Sequence, residues 1–337
     1  MTYPHHAYDF IQWRPGQRGL YESNYLKANA PDGRRAFWIK YNILAPFAAT
    51  RPAVAELWAV LFDRDAGPPR VVKEIRPMTA VQVSNETLRF ESEGCRLTAS
   101  EAIGRIAGEG GEAEWTLKLN STAPPLFHLP YAWMYTLGFP KKKILTPAPC
   151  VIFEGTLTVA GRTVEVNRWR GLRGHNWGSE HAYAYAYGNC AEFAEDSSAV
   201  LDGFTARIRL GPAISPWLSL AVLRFARHEL SFNQPRAWIT PSAVVDFPRW
   251  QVTFRGADYV LRTSWEAPPE TFVGLRYLHP DGKVSYCYNS KFASVRAELI
   301  PRTESGRGVT MNGRNGELEF LFPQPLADIP LHGEVSL

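Results

Sequence analysis

Between His181 and Cys190 the chain alternates without a break. His181, Tyr183, Tyr185, Tyr187 and Asn189 fall on one side of an extended backbone, and Ala182, Ala184, Ala186, Gly188 and Cys190 on the other. A period of two predicts a strand with a polar-aromatic face and a small-residue face, so something bulky must fit against one of them. Shorter strand patterns precede it at 24–29, 35–44, 53–63, 71–75, 80–83, 88–91, 95–99 and 114–120. Pro31-Asp32-Gly33 is a strong turn signal between the first two. A hairpin around Ala160-Gly161 joins 151–159 to 162–170. Further strands read at 183–193, 199–210, 217–225, 228–232, 250–255, 258–265, 272–278, 284–289, 293–300 and 317–322. His279-Pro280-Asp281-Gly282 reads as a hairpin turn and Ser305-Gly306-Arg307-Gly308 as a flexible one. No amphipathic helix longer than about twelve residues fits before position 125.

This density of short strands predicts an all-β protein built as antiparallel barrels. The chain has 337 residues, which suits two moderate domains better than one. The strand-turn-strand opening near Pro31-Asp32-Gly33 repeats loosely after position 183, which places a boundary near Gly178. The expectation is therefore two consecutive barrels, 1–178 and 179–337.

One segment breaks the rhythm. Residues 126–144 combine Trp, Tyr, Phe and Leu with the cluster Lys141-Lys142-Lys143. It is too short and too interrupted by proline to cross a bilayer, but its aromatic-basic composition makes it a candidate for peripheral membrane contact. The alternative is a long loop or short helix that caps a barrel, with the lysines solvated.

Composition narrows the picture. A hydrophobic share of 45% with 21% charged residues suits a folded soluble protein. Aromatics are abundant at 13%, including 11 Trp, which fits barrel cores or a pocket for a large apolar ligand. A net charge of +4, dispersed along the chain, provides no basic face for nucleic acid. Cys95, Cys150, Cys190 and Cys287 are far apart and lack CxxC spacing, so buried thiols in a reducing compartment are expected. The opening MTYPHHAYDFIQW has no secretory pattern, and no apolar run reaches the roughly 18 residues of a membrane span. A cytoplasmic protein is expected. No Gly-rich phosphate loop follows a strand and opens a helix, and no cofactor is called for.

The chemistry concentrates just before the alternating strand. His175, Asn176, Trp177, Glu180 and His181 occupy seven positions of a chain with eight histidines, and Gly171, Gly174 and Gly178 mark a turn or a close backbone approach. Gly174-His175-Asn176-Trp177-Gly178 resembles the D-H-x-W-G motif of the carotenoid 1,2-hydratase (hydroxyneurosporene synthase) and tocopherol-cyclase-like group of lipocalin-like proteins. Glu22-Ser23-Asn24-Tyr25-Leu26-Lys27 through Pro31-Asp32-Gly33-Arg34-Arg35 resembles the opening strands of that group. The resemblance implies two lipocalin-like barrels with an apolar, often isoprenoid, ligand near the motif. It also implies proton addition to an alkene through a carbocation, followed by hydration or cyclisation. That chemistry needs a proton donor, a dry aromatic wall and, for hydration, a positioned water.

By that resemblance His175 and Trp177 fall on the motif histidine and tryptophan, and Asp202 is the nearest match to the group's downstream acid. Gly174 stands where the group has an acid, and Val200 where it has a tyrosine two positions before Asp202. Glu180 and Glu192 are alternative donors, and Asn176, Trp177, His181, Tyr183, Tyr185 and Asn189 are candidate ligand contacts. Proton-initiated hydration, cyclisation or isomerisation of an isoprenoid-like or polyketide-like molecule is the leading expectation. A non-catalytic carrier of apolar ligands is the rival. The two histidines equally suit hydrogen bonding at a barrel junction, and the tyrosine row suits packing between barrels better than a cofactor site. They are poor zinc ligands, because no third one accompanies them at a recognised spacing.

Overall fold

The computed structural model describes residues 8–121, 123–240, 242–303 and 307–333. Ser305 and Gly306 of the expected flexible turn, and the first seven residues, lie outside these. The fold is all-β and comprises two lipocalin-like antiparallel barrels, one after the other.

The first sheet runs in the order Arg70–Pro77, Val54–Asp63, Arg35–Ala45, Leu20–Asn29, Arg162–Gly178, Lys142–Val159, Gly111–Ser121, Glu101–Gly108, Cys95–Thr98, Arg89–Ser92 and Val81–Val83. It curls until the Lys73 N–H donates to the carbonyl of Glu109 at 2.9 Å, which joins Arg70–Pro77 to the turn after Glu101–Gly108. Gly110 makes that seam. Its φ is +87°, and a Cβ there would lie 1.8 Å from the Val71 carbonyl oxygen. The interior holds Phe37, Tyr41, Trp115, Phe153 and Trp169, all fully buried. Tyr41 accepts from the Trp115 indole N–H at 2.8 Å and donates to the Ile103 carbonyl at 2.8 Å, so the polar ends of these aromatics are satisfied inside.

The second sheet has the order His228–Phe232, Leu218–Phe225, Val200–Arg207, Ala184–Cys190, Val309–Phe322, Val284–Pro301, Tyr259–Glu266, Arg249–Arg255 and Val244–Asp246. The small-residue face of Ala184–Cys190 points into this barrel. The bulky partner there is a stacked pair, Trp250 and Trp265, with centroids 5.5 Å apart. A Cβ on Gly188 would come within 2.9 Å of both rings. The last strand of the first sheet ends at Gly178 and the first of the second begins at Ala184.

The strands are longer than the sequence pattern predicts. Arg162–Gly178 runs straight through the His175-Trp177 motif, pairing with Leu20–Asn29 on one side and Lys142–Val159 on the other. The motif glycines therefore mark close approaches and not a turn. Val284–Pro301 merges two expected strands, and the register shifts between Ser290, Ala293 and Val295 explain why the alternation lapses there. Glu101–Gly108 was not expected from the pattern. Of residues 126–144, Leu126–Phe127 pairs with the strand that begins at Lys142, and 128–141 form a loop with one short helix, Trp133–Thr136, over the junction of the barrels.

Gly110→Ala should lower the stability of the fold by about 1–3 kcal/mol, because it adds left-handed strain to a backbone clash at the seam. Denaturant titration measures this, and an unchanged midpoint would show that the seam has slack.

Candidate functional site

Strand parity decides what faces the space between the barrels. On Leu20–Asn29 the residues Leu20, Leu26 and Ala28 enter the first core, whereas Tyr25 packs against the second barrel. On Ala184–Cys190 the tyrosines Tyr185 and Tyr187 face the first barrel. Tyr25, Trp38 and Trp58 from one sheet and Tyr185, Tyr187, Tyr277 and Leu321 from the other form a continuous cluster at the junction. Where the two convex surfaces diverge they leave a cavity of about 520 Å³.

The body of this cavity is apolar, walled by Leu129, Ile144, Phe204, Leu218, Leu220 and Trp238. Phe139, Leu210 and Ile239 stand exposed at its mouth. Its inner wall is polar: Tyr25, Tyr185, Tyr187, Asn176, Lys142 and Glu319. A side chamber of about 30 Å³ continues inward past Tyr21, Ser23, Trp38, Lys40 and Tyr277. A hollow of about 540 Å³ on the outer face of the 154–167 hairpin is larger, but its lining is mainly exposed polar side chains with no opposing wall.

Two carboxylates serve the inner wall. Glu319 accepts from the Tyr185 hydroxyl and from Asn289 Nδ2, the latter at 2.9 Å. Asp202 lies one layer deeper and is fully buried. Thr146 Oγ1 donates to it at 2.7 Å, Asn189 Nδ2 at 3.1 Å and the Tyr187 hydroxyl at 3.3 Å, and His128 Nε2 sits 3.0 Å from its other oxygen. Tyr25 then donates to the Tyr187 hydroxyl at 3.1 Å, which links Asp202 to the cavity surface. Burial and the adjacent Glu319 raise the Tyr185 pKa well above that of a free phenol, and burial with Asp202 does the same for Tyr187. Both stay protonated and act as donors.

The nitrogens at the wall are pushed the other way. Burial, with Lys142 and Lys40 nearby and His279 beside it, holds His181 well below the usual imidazole range, so it is neutral at pH 7. Its ring stacks on Tyr21 with centroids 3.7 Å apart. The Lys142 ammonium lies 4.3 Å from the centroid of the Tyr185 ring, and burial lowers its pKa to about 8, partly offset by Glu319. Of the three clustered lysines, which the sequence leaves either at a membrane surface or in solvent, only Lys141 is exposed, and it pairs with Glu180 at 2.7 Å. Lys142 is turned inward and Lys143 is buried.

The candidate residues read from the sequence divide between locations. Asn176, Glu180, His181 and Tyr185 line the cavity, and Asn189 and Asp202 form the layer behind it. His175 and Trp177, one residue either side of Asn176, necessarily point to the opposite face. There His175 Nε2 is 2.8 Å from Glu22 Oε1, with its ring stacked on Trp177. Glu22 also accepts the backbone N–H groups of Gln12 and Trp13, each at 2.8 Å, so this cluster pins the entry segment to the first barrel. Tyr183 lies outside the lining under the Arg209 guanidinium. Glu192 is remote from the cavity and holds Arg314 and Asn315 at 3.3 and 3.0 Å.

Sequence reasoning missed Glu319, Lys142, Lys40, Tyr25 and His128. A signal existed for the first: Glu317-Leu318-Glu319-Phe320 repeats the two-residue alternation that marked the tyrosines, so both carboxylates share the junction face. Among the described residues no group of three or more His, Cys, Asp or Glu side chains converges to hold a metal ion. No described helix is long and apolar enough to cross a membrane.

No protein-family profile matches the chain. Uncharacterized proteins of two Mycobacterium tuberculosis strains are 28% identical over 296 residues, covering 86% of this chain and 83% of theirs. Among solved structures, CghA with Sch210972 superposes with a TM-score of 0.63 at 12% identity, covering 90% of this chain and 88% of its own. An AttH-like protein of Nitrosomonas europaea gives 0.55 at 15% identity, with 92% and 98% covered. Kievitone hydratase from Nectria haematococca gives 0.52 at 11%, with 90% and 89% covered. The two-barrel fold is shared across all three.

Lys142 should titrate with a midpoint of about 8 in NMR of lysine-labelled protein. Glu319→Gln should move that midpoint lower still, since it removes a neighbouring negative charge that favours the ammonium. A midpoint near the ordinary lysine value of about 10.4 would mean that water reaches the amine freely.

Proposed function

We propose that this protein binds a mid-sized, largely apolar small molecule between its barrels and converts it by proton transfer, in a hydration, cyclisation or isomerisation. The observation that carries this is the Tyr185–Glu319 pair, set into the inner wall of an otherwise apolar cavity. A volume of about 520 Å³ lies within the range of small-molecule sites, and apolar walls with a few convergent polar groups are their usual make-up. Glu319 is the group suited to take a proton, and Tyr185, held protonated, the group suited to give one. Lys142 beside Tyr185 favours negative charge developing on a substrate oxygen. Tyr25, Tyr187 and Trp238 offer π-faces to a developing cation, each worth about 1–2 kcal/mol when desolvated.

Asp202 acts at one remove, through Tyr187 and Tyr25, as a positioning residue. The similarity in fold to a protein named as a hydratase, and to one crystallised with a small molecule, supports this assignment. An isoprenoid or polyketide skeleton fits the apolar wall. The exposed Trp133, Leu137 and Phe139 near the mouth suit delivery of such a molecule from a membrane surface.

The test is incubation of the protein with a lipophilic cell extract in deuterium oxide, followed by mass spectrometry of the retained and released molecules. The wild type should add deuterium or change the mass of one of them. Glu319→Gln should retain that molecule but slow the change by about 10²-fold or more, with a smaller loss for Asp202→Asn. Retention of apolar molecules that are never altered would identify a carrier and overturn the catalytic assignment.

A further inference from the structure

Resting on that placement of the ligand, we infer that the molecule is amphipathic, with an anionic oxygen head group that enters the side chamber between Lys40 and Lys142. The chamber belongs to the junction and not to either barrel core, and its volume of about 30 Å³ has room for roughly two water-sized groups, the size of a carboxylate.

Charge is the first argument. Lys40 and Lys142 both line the chamber, and among the described residues neither ammonium has a carboxylate within ion-pairing distance. Aromatic faces surround them instead: Lys40 lies 4.2 Å from the Tyr277 centroid and 4.8 Å from that of Trp38, and Lys142 stands over Tyr185. Glu319 is the one carboxylate in the lining, and Tyr185 and Asn289 engage it. His181 is neutral there, and the adjacent Lys291 is already paired with Glu317. Two ammonium groups against one carboxylate leave a surplus positive charge out of water, which a monoanion would balance.

Unsatisfied donors are the second argument. Tyr21, Ser23 and Trp38 line the chamber, each at least nine-tenths buried, and the Tyr21 hydroxyl, Ser23 Oγ and Trp38 Nε1 have no hydrogen-bond partner in the protein. Buried donors are nearly always paired, so three at one small chamber point to an oxygen-rich group that accepts from them. Burial lowers the pKa of both lysines, as expected of ammonium groups that lack a counter-ion.

Dodecanoate, methyl dodecanoate and 1-dodecanol serve as probes, with binding read by calorimetry on the full chain. Dodecanoate should bind about tenfold or more tighter than the alcohol or the ester, the increment of a charge-assisted hydrogen bond. The Lys40→Met/Lys142→Met variant should lose that preference and keep its affinity for the alcohol. Equal binding of all three by the wild type, or an undiminished carboxylate preference in the variant, would overturn the head-group inference alone. Failure of all three to bind would remove the cavity as a ligand site and the inference with it.

Discussion

The surfaces on which two barrels meet lose their water, and the polar side chains there have to find partners in each other. Lys27, Lys40, Lys291, Asp202, Glu317 and Glu319 are all under a tenth exposed, in a position that is outside both barrels yet inside the protein. An ion left alone in such a place is costly, and a paired one repays that cost only when its remaining hydrogen-bonding capacity is also met. Most of the junction meets this demand locally. Lys291 pairs with Glu317, Lys27 donates to the Asn315 carbonyl at 3.1 Å, and Asn29 donates to the Lys291 carbonyl at 2.8 Å. The last two contacts cross from one sheet to the other, so they fix the barrels against each other as well as satisfying themselves.

That constraint also explains where the cavity lies. Each barrel has its own buried aromatic core, Trp115 and Trp169 in one and Trp250 and Trp265 in the other. Convex sheets in contact along a line must separate on either side of it, and the opening is roofed by the segment from Leu129 to Ile144 together with Leu210 and Ile239. The cavity is therefore apolar where loops cover it and polar where it meets the buried seam. Its chemistry is borrowed from groups that the docking of the barrels already required.

Much of this was legible in the sequence, because a period of two survives in a strand whatever its neighbours are. The alternation at Ala184–Cys190 correctly separated a tyrosine face from a small-residue face. The density of rare residues around His175 was a weaker guide. It marked a stretch of consequence, but in a strand adjacent residues diverge, so Asn176 meets the cavity while His175 and Trp177 turn to Glu22 and Tyr135. Glu319, Lys142 and His128 are brought together only by pairing over long sequence distances, which no local pattern encodes. Gly174 shows the reverse case, where structure explains an oddity of sequence. A Cβ there would lie 2.2 Å from the Tyr25 ring, so an acidic residue, as in the motif it resembles, would displace Tyr25 from its hydrogen bond with Tyr187.

The same logic distinguishes the two acids at the inner wall. A carboxylate has about four acceptor positions in all. Asp202 has four neighbours on it, Thr146, Asn189, Tyr187 and His128, with no exposure to the cavity. With three donors on one oxygen, His128 at the other and no exposure, it can order Tyr187 but presents no atom to the cavity. Glu319 accepts from Tyr185 on one oxygen and from Asn289 on the other, has the Cys287 thiol against it as well, and still lines the cavity. A group that must exchange a proton with a bound molecule needs an opening to it, and of the two acids only Glu319 lines the cavity. The motif resemblance draws attention to the acid on the hairpin after it, Asp202, whereas access to the cavity favours Glu319, across Ala184–Cys190 in the same sheet.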